Sequence, residues 1–148
     1  MKVHKTIKLI LSKTQSARLL QISEAAEPNE SAALLFGSVT REQDFVLYKC
    51  EKVQDVESSV PSPVSFLIGD IENLYSLWAD AQSKGYRLVS IFHSHPSGAW
   101  PSGKDRKYMK NIGRFYRGII WSIYGNSQDE LNAFVYDRNR MFQVEIVI

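Results

Sequence analysis

The run Ser31 to Val39 reads Ser-Ala-Ala-Leu-Leu-Phe-Gly-Ser-Val, with none of the polar alternation of a half-exposed strand. A strand of that composition must be covered on both faces, so the chain has to supply strands beside it and elements above and below. Residues 3–11 read as a first strand, and a helix follows from about Thr14 to Ala26, closed by Pro28. Asp44 to Val53 carries Phe45, Val46, Leu47 and Tyr48 and reads as another strand. Gln54 to Val64 holds Pro61, Pro63 and three serines, the composition of a loop. From Asp70 to Lys84, Ile71, Leu74, Leu77, Trp78 and Ala81 form one helical stripe, with Gly85 as the stop. Tyr86 to His93 is apolar enough for a central strand, and Lys104 to Phe115 reads as a helix. Gly118–Tyr124, Glu130–Tyr136 and Met141–Ile148 complete the set as three strands. The order β-α-β-β-α-β-α-β-β-β predicts an α/β fold: a single mixed-sheet domain over residues 1–148, its strands flanked by helices.

Composition removes several function classes. A formal net charge of +2 gives no footprint for nucleic acid or for an anionic membrane. Cys50 stands alone, which excludes an intrachain disulfide and a cysteine-based zinc cage. No apolar run approaches the roughly 20 residues of a membrane-spanning helix. Lys8 interrupts the short apolar stretch near the start, and no small-residue cleavage site follows it, so the expected location is the cytoplasm.

Chemistry concentrates in His93-Ser94-His95-Pro96-Ser97-Gly98-Ala99-Trp100-Pro101-Ser102-Gly103-Lys104-Asp105. Side chains alternate along a strand, so His93 and His95 share one side and Ser94 points away. Two imidazoles so placed can reach one ion at roughly 2.0–2.1 Å, and the Pro/Gly-rich loop turns the chain back so that Asp105 can add a carboxylate oxygen. Two His and one Asp leave a fourth tetrahedral position for water, as in a catalytic zinc site. Ser102-x-x-Asp105 is also the pattern of a capped helix start, which is compatible with metal binding. His4 has no visible partner and reads as structural.

This segment resembles the JAMM (MPN+) metalloprotease signature, Glu…His-Ser/Thr-His-Pro-x(6)-Ser-x-x-Asp. Pro28-Asn29-Glu30-Ser31-Ala32-Ala33-Leu34-Leu35-Phe36-Gly37 is similar to that family's Pro-x-Glu-x-x-Gly-Leu-Leu-x-Gly block. The order of elements resembles the family's over nearly the whole chain, and the resemblance implies its cytidine-deaminase-like fold. It also implies one Zn2+ ion held by His93, His95 and Asp105, with Glu30 as general base and Ser102 stabilising the oxyanion. The implied activity is that of a zinc-dependent isopeptidase of deubiquitinase type. It would hydrolyse the bond after the C-terminal glycine of a ubiquitin-like protein, by zinc-activated water. The implied partners are a ubiquitin-like protein or its conjugates, with no nucleic acid and no membrane, and the enzyme a monomer or homodimer. Two departures stand out: six residues separate His95 from Ser102, one fewer than the family pattern, and Ala33 replaces a glycine. The shorter loop bears on how Ser102 and Asp105 are aimed.

Other readings remain open at this level. The same site would serve a peptidase that trims a ubiquitin-like sulfur carrier to its terminal Gly-Gly. A non-catalytic interaction module of this fold has no need for Glu30, both histidines and Asp105 together. A DNA-repair relative is disfavoured by the charge balance, and a nucleoside deaminase by the missing Pro-Cys-x-x-Cys ligands. Lys107, Lys110, Arg114 and Arg117 recur at helical spacing, as a solvated face or a dock for an acidic partner. Trp100 suits a substrate contact or a loop anchor, and Cys50 a small buried hydrophobe. The Gln54–Val64 loop stands where larger family members receive a substrate tail.

Overall fold

Seven strands and three helices are formed by the described residues, 1–56, 71–115 and 117–148 of the computed structural model, with the side chains of 71–74 and 115 outside that description. In chain order they are β1 (Val3–Ile10), α1 (Lys13–Ala26), β2 (Ala32–Glu42), β3 (Phe45–Val56), α2 (Ile71–Ser83), β4 (Arg87–His95), α3 (Gly103–Phe115), β5 (Ile120–Gly125), β6 (Glu130–Asp137) and β7 (Arg140–Val147). The predicted order of elements is reproduced, and the boundaries shift for local reasons. Helix α1 starts earlier than Thr14 because Ser12 caps it. Ser12 Oγ accepts from the Gln15 N–H at 3.0 Å, and Gln15 Oε1 accepts from the Ser12 N–H at 2.9 Å. Gly85, at φ 85°, follows α2 as expected. Asp70 and the side chains of Ile71 and Leu74 lie outside the described residues. Gln54, Asp55 and Val56 belong to β3 and not to a loop, because they pair with Leu34, Ala33 and Ala32 of β2. The rest of that expected loop, 57–64, lies outside the described residues.

The sheet is mixed, as predicted, but it is not an open sheet between helices. Its strands run β1-β3-β2-β4-β5-β6-β7 and close into a barrel. Closure comes from β1, which pairs in parallel with both β3 and β7 and so has no free edge. The remaining parallel pair is β4–β5, while β2–β3, β2–β4, β5–β6 and β6–β7 are antiparallel. Two apolar clusters divide the faces. All seven strands contribute to the first, including Leu9, Leu35, Cys50, Phe92, Ile120, Val135 and Val144, and α1 adds Leu19 and Ile22. The second joins Leu34, Phe36, Ile91, Trp121, Ile123 and Phe134 to Ala81 of α2 and Met109 of α3. Ala33, where the family block has glycine, is fully buried in the first cluster and pairs in regular register with Asp55 of β3 and Phe92 of β4.

Close packing decides one glycine outright. A β-carbon on Gly37 would lie 1.8 Å from the Lys49 carbonyl oxygen, at the point where the β2–β3 register shifts. His4 has a partner that sequence did not reveal: its Nε2 donates to Asp137 Oδ2 at 2.9 Å, and its Nδ1 accepts from the backbone of Thr6 and Ile7. This is a structural role, tying β1 to the end of β6. Burial pushes the Cys50 thiol up to about 12, which makes it a packed side chain and not a nucleophile.

Candidate metal centre

Strand β4 carries the site because both of its edges are paired. His93 lies beside Ala32 of β2 and Ile123 of β5, so its backbone is fixed on two sides. Alternation then puts Ile91 in the α2/α3 cluster and Phe92 in the cluster that includes α1. His93 and His95 follow Ile91, as predicted, and Ser94 follows Phe92. The strand runs on through His95, so both histidines sit on regular backbone.

Ser94 does more than point away. It is fully buried, and its Oγ accepts from the Ser31 N–H at 3.0 Å and lies 2.7 Å from Ser31 Oγ. The Ser94 N–H in turn donates to the Ser31 carbonyl at 3.0 Å. Ser31 follows Glu30 directly, so this latch fixes where Glu30 leaves the sheet. Replacing Ser94 with alanine leaves the Ser31 N–H buried and unpaired, at an expected cost of about 1–3 kcal/mol. A urea-unfolding comparison checks this, and a variant as stable as the parent contradicts it.

The short loop after His95 is held firmly. Asn126 and Ser127 donate backbone N–H groups to the His95 and Pro96 carbonyls at 2.9 and 3.2 Å, and Asn132 Nδ2 donates to the Ala99 carbonyl at 3.1 Å. The loop lies directly on Gly125, where a β-carbon would come within 2.3 Å of Ala99 N. Sequence reading passed over Ser31, Ser94, Gly125 and Asn132. Only the glycine, at the end of an apolar strand, carried a local signal.

Helix α3 then begins with a reciprocal cap. Ser102 Oγ accepts from the Asp105 N–H at 3.0 Å, and Asp105 Oδ2 accepts from the Ser102 N–H at 2.9 Å. The expected capping role is therefore present, and the shorter loop has not turned Asp105 away. The same Oδ2 lies 3.2 Å from His93 Nε2 and 3.0 Å from His95 Nε2, and the two Nε2 atoms are 3.1 Å apart. All three residues are buried, and their ligand atoms form a group that could hold a metal ion. Tetrahedral bonds of roughly 2.0–2.1 Å place donor atoms roughly 3.3–3.4 Å apart, so the triangle needs only a slight expansion to accept one. His95 Nδ1 lies 3.2 Å from the Gly98 carbonyl, which fixes its proton there and leaves the Nε2 lone pair for an ion.

The electrostatics fit a cation. Burial works to lower the His95 pKa, but the hydrogen bond and charge of Asp105 outweigh it, helped by the Gly98 carbonyl and Glu30, and the pKa is raised. Burial works to raise Asp105, yet hydrogen bonds from His93 and His95 hold it well below the carboxylate range. Glu30 completes the group, with Oε1 3.8 Å from His95 Nε2. Glu30, His95, Ser97, Gly98, Trp100 and Ser102 line a cavity of about 340 Å³. Trp100 is both anchored and open: its ring lies 5.5 Å from Phe134, while 44% of the residue stays exposed. Arg117 falls beyond the end of α3 and lines a different cavity with Trp78, Gln82 and Arg87, so it is not part of the predicted basic stripe. Among the described residues no helix is long and apolar enough to cross a membrane.

A family model described as prokaryotic homologs of the JAB domain matches residues 13–137. A protein named desampylase, from Pyrococcus furiosus, is 32% identical over 99 residues, which cover 66% of this chain and 66% of that protein. Among solved structures, a protein from Desulfitobacterium hafniense matches with a TM-score of 0.68 at 24% identity, covering 94% of this chain and 91% of its own. A JAB1/MPN domain protein from Archaeoglobus fulgidus matches with a TM-score of 0.52 at 18% identity, covering 98% and 100%.

Proposed function

The chain belongs to the family of prokaryotic homologs of the JAB domain, and from that premise we propose that it is a zinc-dependent isopeptidase. It cleaves after the C-terminal glycine of a ubiquitin-like protein. The observation that carries this reading is the group His93, His95 and Asp105, whose ligand atoms lie 3.0–3.2 Å apart, with Glu30 beside it at the wall of an open cavity. Two nitrogens and one oxygen are a zinc donor set, and three protein ligands leave a position for water. Bound there, the ion supplies Lewis acidity, lowering the pKa of water to about 7 and polarising the scissile carbonyl.

The chain's own residues do the rest. Glu30 accepts a proton from the attacking water and returns it to the departing amine. Ser102 Oγ already accepts the Asp105 N–H, so its hydroxyl hydrogen is free to donate to the developing oxyanion. The substrate class is supported by the similarity to the Pyrococcus protein named desampylase. The test is a ubiquitin-like protein ending in Gly-Gly, joined to a lysine peptide. Cleavage should stop on chelation and return with about one equivalent of zinc per site. Zinc-loaded protein that leaves such conjugates intact contradicts the reading and favours an interaction module.

A proton readout accompanies it. Metal binding requires neutral imidazoles, and His95 in the metal-free protein has a raised pKa. Zinc uptake near neutral pH should therefore release protons, from His95 as it becomes neutral and from water at the ion, whose pKa falls to about 7. Calorimetry in buffers of different ionisation enthalpy measures this, and uptake without proton release contradicts it.

A further inference from the structure

Helix α3 is charged against its own stability. Seven of its positions from 103 to 114 are exposed, and five of them are Lys104, Arg106, Lys107, Lys110 and Arg114. Two of these cations, Lys104 and Arg106, lie in the first turn, where the helix dipole disfavours positive charge, and only Arg114, in the last turn, is favoured by it. Lys104 and Lys107, Lys107 and Lys110, Arg106 and Lys110, and Lys110 and Arg114 fall three or four residues apart, the spacing at which like charges repel. The helix's one acid, Asp105, is buried in the metal centre. No ion pair joins any of the five cations to another described residue, and Lys104 alone has a ring beneath it, 5.9 Å from the Tyr108 centroid. Five cations against Asp105 give the helix a formal charge of +4, and the whole chain carries +2, so everything outside the helix sums to −2. A cost of this kind, offset by no ion pair among the described residues, points to a function.

Position supplies the function. The helix follows Ser102 on the cavity wall and extends about 20 Å from it across the sheet, with Gly113 beside Tyr136 of β6. Trp100, half-exposed, stands at the same mouth. A globular protein with its C-terminal tail in the cavity has its body within reach of this helix. We propose that the exposed face of α3 docks an acidic face of such a protein, positioning the tail that the metal centre cleaves. The proposal builds on the isopeptidase reading. A compact acidic protein fits better than a nucleic acid, because the −2 balance of the remaining chain repels a long polyanion.

The variant Lys107→Glu/Lys110→Glu/Arg114→Glu tests it, since all three side chains are exposed and none touches the metal centre. One probe is a ubiquitin-fold protein with glutamates on the face beside its Gly-Gly tail, joined to a fluorescent lysine peptide. A second has those glutamates changed to glutamine, and a third is the tail peptide alone on the same lysine peptide. The variant should lose at least about tenfold in kcat/KM on the acidic probe, chiefly through KM, with the difference fading at high salt. The neutral probe and the tail peptide should be cleaved at parent rates, which also shows the variant to be folded. Equal loss on all three probes, or no loss on the acidic one, overturns the proposal. If the parent cleaves none of the probes, the isopeptidase reading falls and fluorescence anisotropy decides the docking question alone. Binding of the acidic probe that the variant weakens upholds it; absence of binding by the parent, or tighter binding of a duplex or single-stranded oligonucleotide, overturns it.

Discussion

Glu30→Gln should lower kcat for conjugate cleavage by about 10²–10⁴-fold, the usual contribution of a positioned general base, with zinc content unchanged. The substitution keeps the size and hydrogen-bonding reach of the side chain and removes only its ability to take a proton. Glu30 Oε1 lies 3.8 Å from His95 Nε2, beside the three candidate ligands and not among them. The Ser31–Ser94 latch that positions it does not involve its side chain. Rate and metal content should therefore separate. Equal loss of both would make Glu30 a ligand, and an unchanged rate would remove it from the mechanism.

Asp105→Asn should have the opposite signature, losing metal and activity together. A neutral amide is a poor zinc ligand, and the loss of affinity should exceed the 10–100-fold typical of residues that only support a ligand. Folding should survive, because asparagine retains a carbonyl oxygen to accept the Ser102 N–H and its backbone still donates to Ser102 Oγ. The metal-free variant should also show a lower His95 pKa, since the hydrogen bond and charge of Asp105 raise it. Equilibrium dialysis with zinc and an NMR titration of the imidazoles measure the two effects. Ser102→Ala is the contrast: it should cost about 1 kcal/mol of stability through the lost cap while zinc is retained.

Local rules carried some parts of this molecule and not others. Strand alternation alone places His93 and His95 on one face, and the Ser102-x-x-Asp105 spacing alone announces the cap that brings Asp105 back. Both are contacts within a dozen residues. Glu30 is different. Nothing near it in sequence marks it as more than a solvated acid, because its neighbours in the site come from β4, more than sixty residues on. Only the resemblance of its flanking block singled it out. Barrel closure was hidden for the same reason, since β1 pairs with β7 across nearly the whole chain and periodicity says nothing about partners. Likewise Ser94 pairs with Ser31 and His4 with Asp137 through long-range geometry that composition cannot encode. The basic face of α3 was visible as a stripe. Its lack of counter-charges among the described residues, and its start at the cavity wall, needed coordinates.

The proposed chemistry turns on one zinc ion held by His93, His95 and Asp105. Anomalous diffraction on either side of the zinc absorption edge, from crystals of zinc-loaded protein, tests that directly. The predicted result is a single strong peak at roughly 2.0–2.2 Å from His93 Nε2, His95 Nε2 and an Asp105 carboxylate oxygen, absent in the Asp105→Asn variant. A site left empty at saturating zinc, or a peak coordinated by other residues, would contradict it.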